Sequence, residues 1–229
     1  MSEKNQFQSL EIITGLFAGL LIISNLASTR LISLGPLSFD AGTLTFPLTY
    51  IFGDILTEVY GYQRSRRIIW TAFFTLLVSF LVMHIVSLFP APADWKDAAS
   101  WSELLVITPR IALASLLAFL GGEFLNSFIL SKLKSRNPKK GPALRFVSST
   151  LAGQGLDTLL FASIAFLGVL PTPLFVALIV SNYIYKCAVE IIFLPLSLLL
   201  TKKLKKVDNI DHVDRGISYS PFSFKLEKE

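Results

Sequence analysis

Four acidic residues of this 229-residue chain lie inside separate long apolar stretches. They are Asp54, Glu123, Asp157 and Glu190. At the centre of a lipid-facing helix a carboxylate costs about 2.5 to 3.5 kcal/mol even on lenient insertion scales, so intramembrane acids normally face the interior of a bundle. In that position they mark the path of a substrate or an ion. The acids therefore predict a polar binding site inside a membrane protein.

Other polar residues accompany these acids at helical spacing. Glu123 and Asn126 are three residues apart, and Asn182, Lys186 and Glu190 follow one another at intervals of four, so each set lies on one helix face. For Lys186 and Glu190, mutual neutralisation is the alternative to a binding role. Polar groups from five helices at neighbouring depths indicate a cavity lined by donors and acceptors. Its candidate substrate-binding residues are Asn25, Asp54, Glu123, Asn126, Gln154, Asp157, Asn182, Lys186 and Glu190.

The composition and the apolar windows define the elements that carry these residues. Hydrophobic residues make up 52% of the chain, charged residues 16%, and the mean hydropathy is +0.60, which is too apolar for an ordinary soluble domain. About 20 apolar residues cross a bilayer as a helix. Six such windows occur, at residues 10–34, 42–60, 68–89, 107–133, 146–170 and 175–200. We predict an all-α polytopic membrane bundle of six transmembrane helices over residues 1–206, followed by a mobile polar tail over residues 207–229.

The basic residues predict the orientation of this bundle. Cytoplasmic loops carry an excess of Lys and Arg, and the predicted connections divide these residues unequally. One side holds Arg30, Lys96 and Arg110; the other holds Lys4, Arg64, Arg66, Arg67, Lys132, Lys134, Arg136, Lys139, Lys140, Arg145, Lys202, Lys203, Lys205 and Lys206. Both termini are therefore expected to be cytoplasmic. The net charge of +5 reflects this topology and contact with lipid head groups, and we expect no nucleic-acid partner.

The second window has an unusual sequence for a membrane helix. Pro47 and Gly53 both fall inside it, and Pro47 removes a helical hydrogen bond, so we expect a kink or break. Broken helices recur at transporter binding sites, while a simple packing kink is the alternative. Asp54 and Glu58, four residues apart, share a face. Glu58 is expected near the interface, snorkelling or paired with Arg64, Arg66 or Arg67.

Several other kinds of site find no support in the sequence. Cys187 is the only cysteine, and neither His84 nor His212 has a partner at metal-ligand spacing, so we expect no metal and no cofactor. An intramembrane di-aspartyl protease using Asp54 and Asp157 would carry a G-x-G-D motif. Here Ile51 stands in place of the first glycine. We therefore expect that the chain is not an enzyme.

Three segments carry a resemblance to a known family. They read Phe46-Pro-Leu-Thr-Tyr-Ile-Phe-Gly-Asp54-Ile-Leu-Thr-Glu58-Val-Tyr-Gly61-Tyr-Gln-Arg-Ser-Arg66-Arg67, Gly122-Glu123-Phe-Leu-Asn126-Ser and Gly153-Gln154-Gly-Leu-Asp157-Thr. From about residue 12 to residue 203 the chain resembles the bacterial queuosine precursor transporters, a vitamin-uptake-like family. The resemblance implies a six-helix protein of the bacterial inner membrane, similar in architecture to the substrate-binding subunits of energy-coupling-factor transporters. It also implies import of 7-deazaguanines such as preQ0 and preQ1.

The implied ligand suggests roles for the polar residues. A 7-deazaguanine offers an N–H and an amine side by side, which one carboxylate can accept together. Glu123 and Asp157 are the candidates for that contact, and Asp54 or Glu190 would bind an aminomethyl cation. The ligand carbonyl would be bound by Asn25, Gln154, Asn182 or Lys186.

Two questions of mechanism stay open at this stage. Uptake is either proton-coupled or facilitated diffusion, and a homo-oligomer is compatible with the sequence. A substrate-binding subunit of an ATP-driven system is the alternative function. Since the chain has no G-x-x-x-x-G-K-[ST] phosphate loop, it would then need a separate ATPase. An intramembrane enzyme is the remote alternative.

The topology is directly testable with reporter fusions. A fusion at Leu37 should report the outside of the cell and a fusion at Pro138 the inside, because basic loops remain in the cytoplasm. An externally active reporter at Pro138 would contradict the six-span arrangement.

Overall fold

The computed structural model describes residues 8–28, 30–34, 37–92, 94–96, 100 and 109–223. Within these residues the chain forms six helices and one short hairpin. The elements in chain order are α1 (Gln8–Ala27), β1 (Leu31–Leu34), β2 (Leu37–Asp40), α2 (Phe46–Tyr60), α3 (Tyr62–Ser87), α4 (Pro109–Arg136), α5 (Ala143–Phe166) and α6 (Thr172–Val207). Four helices, α1, α3, α4 and α6, are long and apolar enough to cross a membrane. The six helices together fit a membrane bundle, as predicted.

The first predicted span is too long, and the fold is not purely helical. Helix α1 ends at Ala27, and Leu31–Leu34 forms a strand that pairs antiparallel with Leu37–Asp40. The Ala41 N–H donates to the Arg30 carbonyl at 2.8 Å and closes the hairpin. A short apolar run does not distinguish a strand from a helix. The window over residues 10–34 therefore joined two different elements.

Helix α2 begins at Phe46, so Pro47 lies in its first turn. A proline there gives up no intrahelical hydrogen bond, because the first N–H groups of a helix have no partner within it. The preceding residues Ala41–Leu44 form a separate 3-10 turn. The second predicted span is therefore interrupted at Thr45, before the proline, and α2 starts immediately after that threonine. Of the predicted kink or break, the structure shows a break between the 3-10 turn and α2, and Pro47 itself does not kink the helix.

Helix α2 is short but central. Its 15 residues extend about 22 Å, less than the roughly 30 Å of a hydrocarbon core. It contacts α1, α3, α4 and α6, and 12 of its 15 residues are buried. Because protein surrounds this helix on most sides, it can carry Asp54 and Glu58 without exposing either carboxylate to lipid.

Glycines allow α4 and α5 to approach closely. A Cβ added at Gly122 would lie 3.1 Å from the Gly153 carbonyl oxygen, and one added at Gly153 would lie 3.0 Å from the Gly122 carbonyl oxygen. Small residues let the backbones of membrane helices come together in this way. The contact places the polar residues of α4 and α5 next to each other.

Glu58 binds basic side chains from three other helices. Its carboxylate is fully buried and accepts hydrogen bonds from Arg145 Nη2 and Lys205 Nζ, both at 2.7 Å. Lys134 Nζ lies 3.7 Å away and also donates to the Glu58 backbone carbonyl. The Glu58 cluster, made of Glu58, Lys134, Arg145 and Lys205, therefore joins α2, α4, α5 and α6 at one end of the bundle.

The expected pairing of Glu58 with a neighbouring arginine is wrong. Gly61, at φ 82°, ends α2 and turns the chain, so residues 64–67 lie on α3 instead of continuing the face of Glu58. Arg64 donates to the Tyr60 carbonyl, and Arg66 binds backbone carbonyls near the C-terminus.

The segment after α6 packs against the bundle, contrary to the expected mobile tail. We call residues 208–223 the C-terminal strap. Asp208 Oδ1 accepts a hydrogen bond from Ser9 Oγ at 2.7 Å, which places the start of α1 and the end of α6 at the same end of the bundle. Burial alone would raise the pKa of Asp214, but contacts from His212, Ser131 and the Tyr62 N–H hold that pKa below its ordinary value. The carboxylate therefore stabilises strap docking at neutral pH, and this contribution is lost as the pH falls through the lowered pKa.

Arg145→Ala should destabilise the bundle. The change leaves Glu58 buried with weaker compensation, and breaking a buried ion pair costs about 3 to 5 kcal/mol. Because Lys205 remains in place, we expect a loss near 3 kcal/mol in the free energy of unfolding, seen as a lower thermal midpoint in detergent. Lys202→Ala, at an exposed position of α6, is the matched control. Equal midpoints for the two variants would contradict the role of the cluster.

Candidate functional site

Glu123 occupies the interior of the bundle without a polar partner. Its side chain has no exposed surface, and neither carboxylate oxygen has a hydrogen-bond partner among the described residues. It lies against α2 at Gly53, where an added Cβ would be 2.5 Å from Glu123 Oε2. The glycine therefore provides the space that the carboxylate occupies. Both carboxylate oxygens of Glu123 are therefore available to accept hydrogen bonds from a bound molecule.

Asp54 and Asn126 form a direct contact between α2 and α4. Asn126 Nδ2 donates to Asp54 Oδ1 at 2.7 Å, while Asn126 Oδ1 is buried and unpartnered among the described residues. Asp54 also lines a small pocket between α2, α5 and α6. Polar groups of that pocket come from Thr150, Glu190 and Ser197. The pocket places a second acid, Glu190, across from Asp54.

The remaining acids are each bound to a particular partner. Lys186 Nζ donates to Asp157 Oδ2 at 2.5 Å, an ion pair between α6 and α5. Glu190 accepts hydrogen bonds from Thr150 Oγ1 at 2.7 Å and from Gln154 Nε2. Neutralisation of Lys186 by Glu190 on their own helix is therefore not found, because each side chain finds a partner on α5.

Asp54, Glu123, Asp157 and Glu190 form what we call the acid cluster. Two of the predicted site residues lie apart from it. Asn25 holds α1 against α4: its Nδ2 donates to the Leu21 carbonyl at 2.9 Å, and its Oδ1 accepts from Ser115 Oγ at 2.7 Å. Asn25 thus has both ends of its amide engaged in helix packing. Asn182 is half-buried on α6, one turn from Lys186, and joins none of these pairs.

The sequence reasoning missed Tyr50 and Thr150. The Tyr50 hydroxyl is buried against Gly122, beside the Asp157 carboxylate, which is the acceptor within its reach. Tyr50 precedes Asp54 by four residues and so shares its helix face, which is the signal that could have identified it. Thr150 precedes Gln154 by the same interval.

The unused polar atoms of the interior favour a ligand rich in donors. Unpartnered acceptors come from Glu123, Asn126 and Gln154, and the Thr158 hydroxyl is also unpartnered among the described residues. A buried polar group without a partner costs about 1 to 3 kcal/mol. A bound molecule with several N–H groups would satisfy these acceptors. Within the described residues, no group of three His, Cys, Asp or Glu side chains is arranged to hold a metal ion.

The structure is a multi-helix membrane bundle around a polar interior lined by hydrogen-bond acceptors, as suits a protein that moves a small molecule across the bilayer. Comparison with known proteins places it among transporters rather than enzymes. The chain belongs to the family described as "putative vitamin uptake transporter", whose model matches residues 40–200. That match includes the residues of the acid cluster and stops before the C-terminal strap.

Three relatives agree with this family. The chain is 33% identical over 176 residues to the probable queuosine precursor transporter of Bacillus subtilis, with 76% of each chain covered. It is 27% identical over 172 residues to the queuosine precursor transporter of Escherichia coli, covering 72% of this chain and 75% of the relative. The probable queuosine precursor transporter of Haemophilus influenzae is 29% identical over 125 residues, covering 55% of this chain and 51% of the relative. No solved structure matches.

Asp157→Asn and Glu123→Gln should differ in their effect on stability. Asp157→Asn deprives the partly buried Lys186 of its counter-ion and should lower the free energy of unfolding by roughly 2 to 3 kcal/mol. Glu123→Gln removes no contact and should stay within about 0.5 kcal/mol of the parent. Thermal unfolding in detergent compares the two. A large destabilisation by Glu123→Gln would mean that this carboxylate has a structural partner.

Proposed function

We propose that the protein imports 7-deazaguanine precursors of queuosine across the bacterial inner membrane. The observation that carries this proposal is the buried, unpartnered carboxylate of Glu123 in an interior with other unused acceptors. The names of the three relatives give the substrate class. They do not favour the alternative of a subunit that depends on a separate ATPase.

Glu123 is the residue that would bind the donor edge of the base. The ring N–H and the exocyclic amine of a 7-deazaguanine are adjacent, so both can donate to the two oxygens of one carboxylate. Asp157, the other candidate from the sequence, is already bound to Lys186. Glu123 keeps both oxygens available and is therefore the stronger candidate.

We propose that Tyr50 binds the ligand carbonyl. That carbonyl lies next to the ring N–H, so its donor must stand beside the carboxylate. The Tyr50 hydroxyl lies against Gly122, the residue preceding Glu123 in the chain. Gln154 and Asn126 would contribute further acceptors through their side-chain oxygens. This arrangement would disfavour purines that lack the exocyclic amine, because a buried acceptor would then stay unpaired.

Asp54 and Glu190 would bind the substituent at position 7. Both line the pocket between α2, α5 and α6, and the aminomethyl group of one precursor carries a positive charge. In the acid cluster four carboxylates face one lysine, Lys186, so a cationic ligand improves the charge balance. We accordingly propose that the aminomethyl precursor binds more tightly than the nitrile.

The orientation follows from the basic residues. The Glu58 cluster and both described chain ends lie at one end of the bundle, and we propose that this end faces the cytoplasm. Import would then carry the ligand from the hairpin end, past Glu123, toward the Glu58 cluster.

Uptake and binding test this proposal. Cells that lack their own queuosine pathway should accumulate labelled 7-aminomethyl-7-deazaguanine when they express the parent, and dissipating the proton gradient reports whether uptake is coupled to protons. Glu123→Gln should weaken binding to purified protein by roughly 2 to 4 kcal/mol, about 30- to 1000-fold, because an amide turns an N–H toward the ligand's donors. Tyr50→Phe should weaken it by about 0.5 to 1.5 kcal/mol.

Guanine and hypoxanthine, which differ only in the exocyclic amine, are the matched ligand pair, and hypoxanthine should compete with the labelled base more weakly than guanine does. If Glu123→Gln binds the deazaguanine as tightly as the parent and folds to the same yield, the assigned site is wrong.

A further inference from the structure

The C-terminal strap, residues 208–223, crosses one end of the bundle and contacts several helices. Its first residue, Asp208, is buried. Asp208 accepts hydrogen bonds from Tyr60 at the end of α2, with an oxygen–oxygen distance of 2.6 Å, and from Ser9 of α1 at 2.7 Å. The strap therefore begins by holding the ends of α1, α2 and α6 together.

The next residues lie directly on the junction of α2 and α3. The His212 N–H donates to the Val59 carbonyl at 3.1 Å, which satisfies one of the free carbonyls at the end of α2. The His212 carbonyl accepts from Lys134 Nζ at 2.7 Å. A side chain on Gly61 would collide with the His212 ring, so the glycine leaves room for the strap.

Asp214 caps helix α3. Its Oδ2 accepts a hydrogen bond from the N–H of Tyr62, the first residue of α3, at 2.8 Å, and another from Ser131 of α4 at 2.6 Å. A carboxylate at a helix N-terminus satisfies an otherwise free N–H group and interacts favourably with the helix dipole. One strap side chain thus ties α3 to α4.

The distal part of the strap is held through its backbone and through the rings of Tyr219 and Phe222, the latter against Trp70. Arg66 Nη1 donates to the carbonyls of Ser218 and Ser220 at 3.0 and 2.8 Å, and Trp70 Nε1 donates to the Pro221 carbonyl at 2.8 Å. The Tyr219 ring packs against Tyr62 and Phe128, and Lys132 Nζ lies 4.1 Å from its centroid.

These contacts show that part of the segment that resembles the family holds the strap. Gly61, Tyr62 and Arg66 belong to the region that matches the family model, yet each contacts the strap, which lies beyond that match. The strap also reaches the Glu58 cluster, since Asp211 Oδ1 lies 2.6 Å from Lys134 Nζ and 2.8 Å from Lys205 Nζ. Glu58 is one helical turn, about 6 Å, from Asp54. Strap and cluster together cover the end of the bundle next to the binding site.

We propose that the strap is a latch: docked, it closes this end of the bundle, and it must leave α3 and α4 for a ligand to pass. Most of its contacts are dispersed hydrogen bonds, ion pairs and ring contacts, and Ile210 adds a contact with the apolar core. Such contacts can be broken and remade without unfolding the helices. The helices it joins, α2 and α4, are those that carry Asp54 and Glu123.

A reversible tether tests the latch. Ser131 of α4 and Asp214 of the strap are joined by a hydrogen bond. The variant combines Ser131→Cys with Asp214→Cys in a full-length chain whose sole cysteine is removed by Cys187→Ala. Oxidation should join the two new cysteines in a disulfide. In proteoliposomes, we expect oxidation to lower uptake of labelled 7-aminomethyl-7-deazaguanine at least about tenfold and reductant to restore it. Uptake by the oxidised protein is compared with uptake by the reduced protein from the same preparation. The ratio reports the effect of the tether on the strap and does not depend on how tightly the site binds the ligand.

The single variants Ser131→Cys and Asp214→Cys, oxidised in the same way, are the controls and should keep their uptake. Full cross-linking with unchanged uptake would overturn the latch, because the strap would then be a permanent brace. Failure of the pair to cross-link both on oxidation and with a short, reducible bis-methanethiosulfonate reagent would also overturn it, since it would mean that the strap is not docked at α4.

Discussion

The rest of the structure depends on how buried charge is compensated in the bundle. Glu58 has no exposed surface, and it is held by Arg145 and Lys205 from helices distant in sequence. An uncompensated charge at such a position is strongly destabilising, so these helix ends must come together. The same rule identifies the site: Asp157 is paired with Lys186, whereas Glu123 has no partner among the described residues. Paired acids build the fold, and the unpaired acid is the one that we propose binds the ligand.

Glycine is the second requirement of this interior. Gly122 and Gly153 bring α4 and α5 together, and Gly53 leaves the space in which the Glu123 carboxylate lies. A helix surface filled with larger side chains would separate the polar groups of neighbouring helices. Close packing and ligand recognition therefore rest on the same small residues. Helix α2, short and enclosed by protein, is the element on which both functions meet.

The two ends of the binding region differ in how they are closed. At one end the Glu58 cluster and the C-terminal strap combine ion pairs, hydrogen bonds and aromatic contacts over the ends of several helices. At the other, a two-stranded hairpin follows α1. A transporter has to open its ends in turn, and many small polar contacts are more easily exchanged than a packed apolar core. In the proposed latch, the residues of α3 that contact the strap act on movement of the bundle instead of on the ligand.

The sequence by itself determined the membrane class, the six helices and most residues of the polar interior, because apolar length and helical spacing are local properties. The tertiary structure decided the pairing, since partners lie on helices far apart in the chain. Lys186 binds Asp157 rather than Glu190 for this reason. Pro47 could be placed at a helix start only once the preceding 3-10 turn was known. The docking of residues 208–223 likewise could not be predicted from the sequence, because their partners belong to other elements. A polar segment without helical periodicity predicts a mobile tail, and only the folded helices form the surface that binds it.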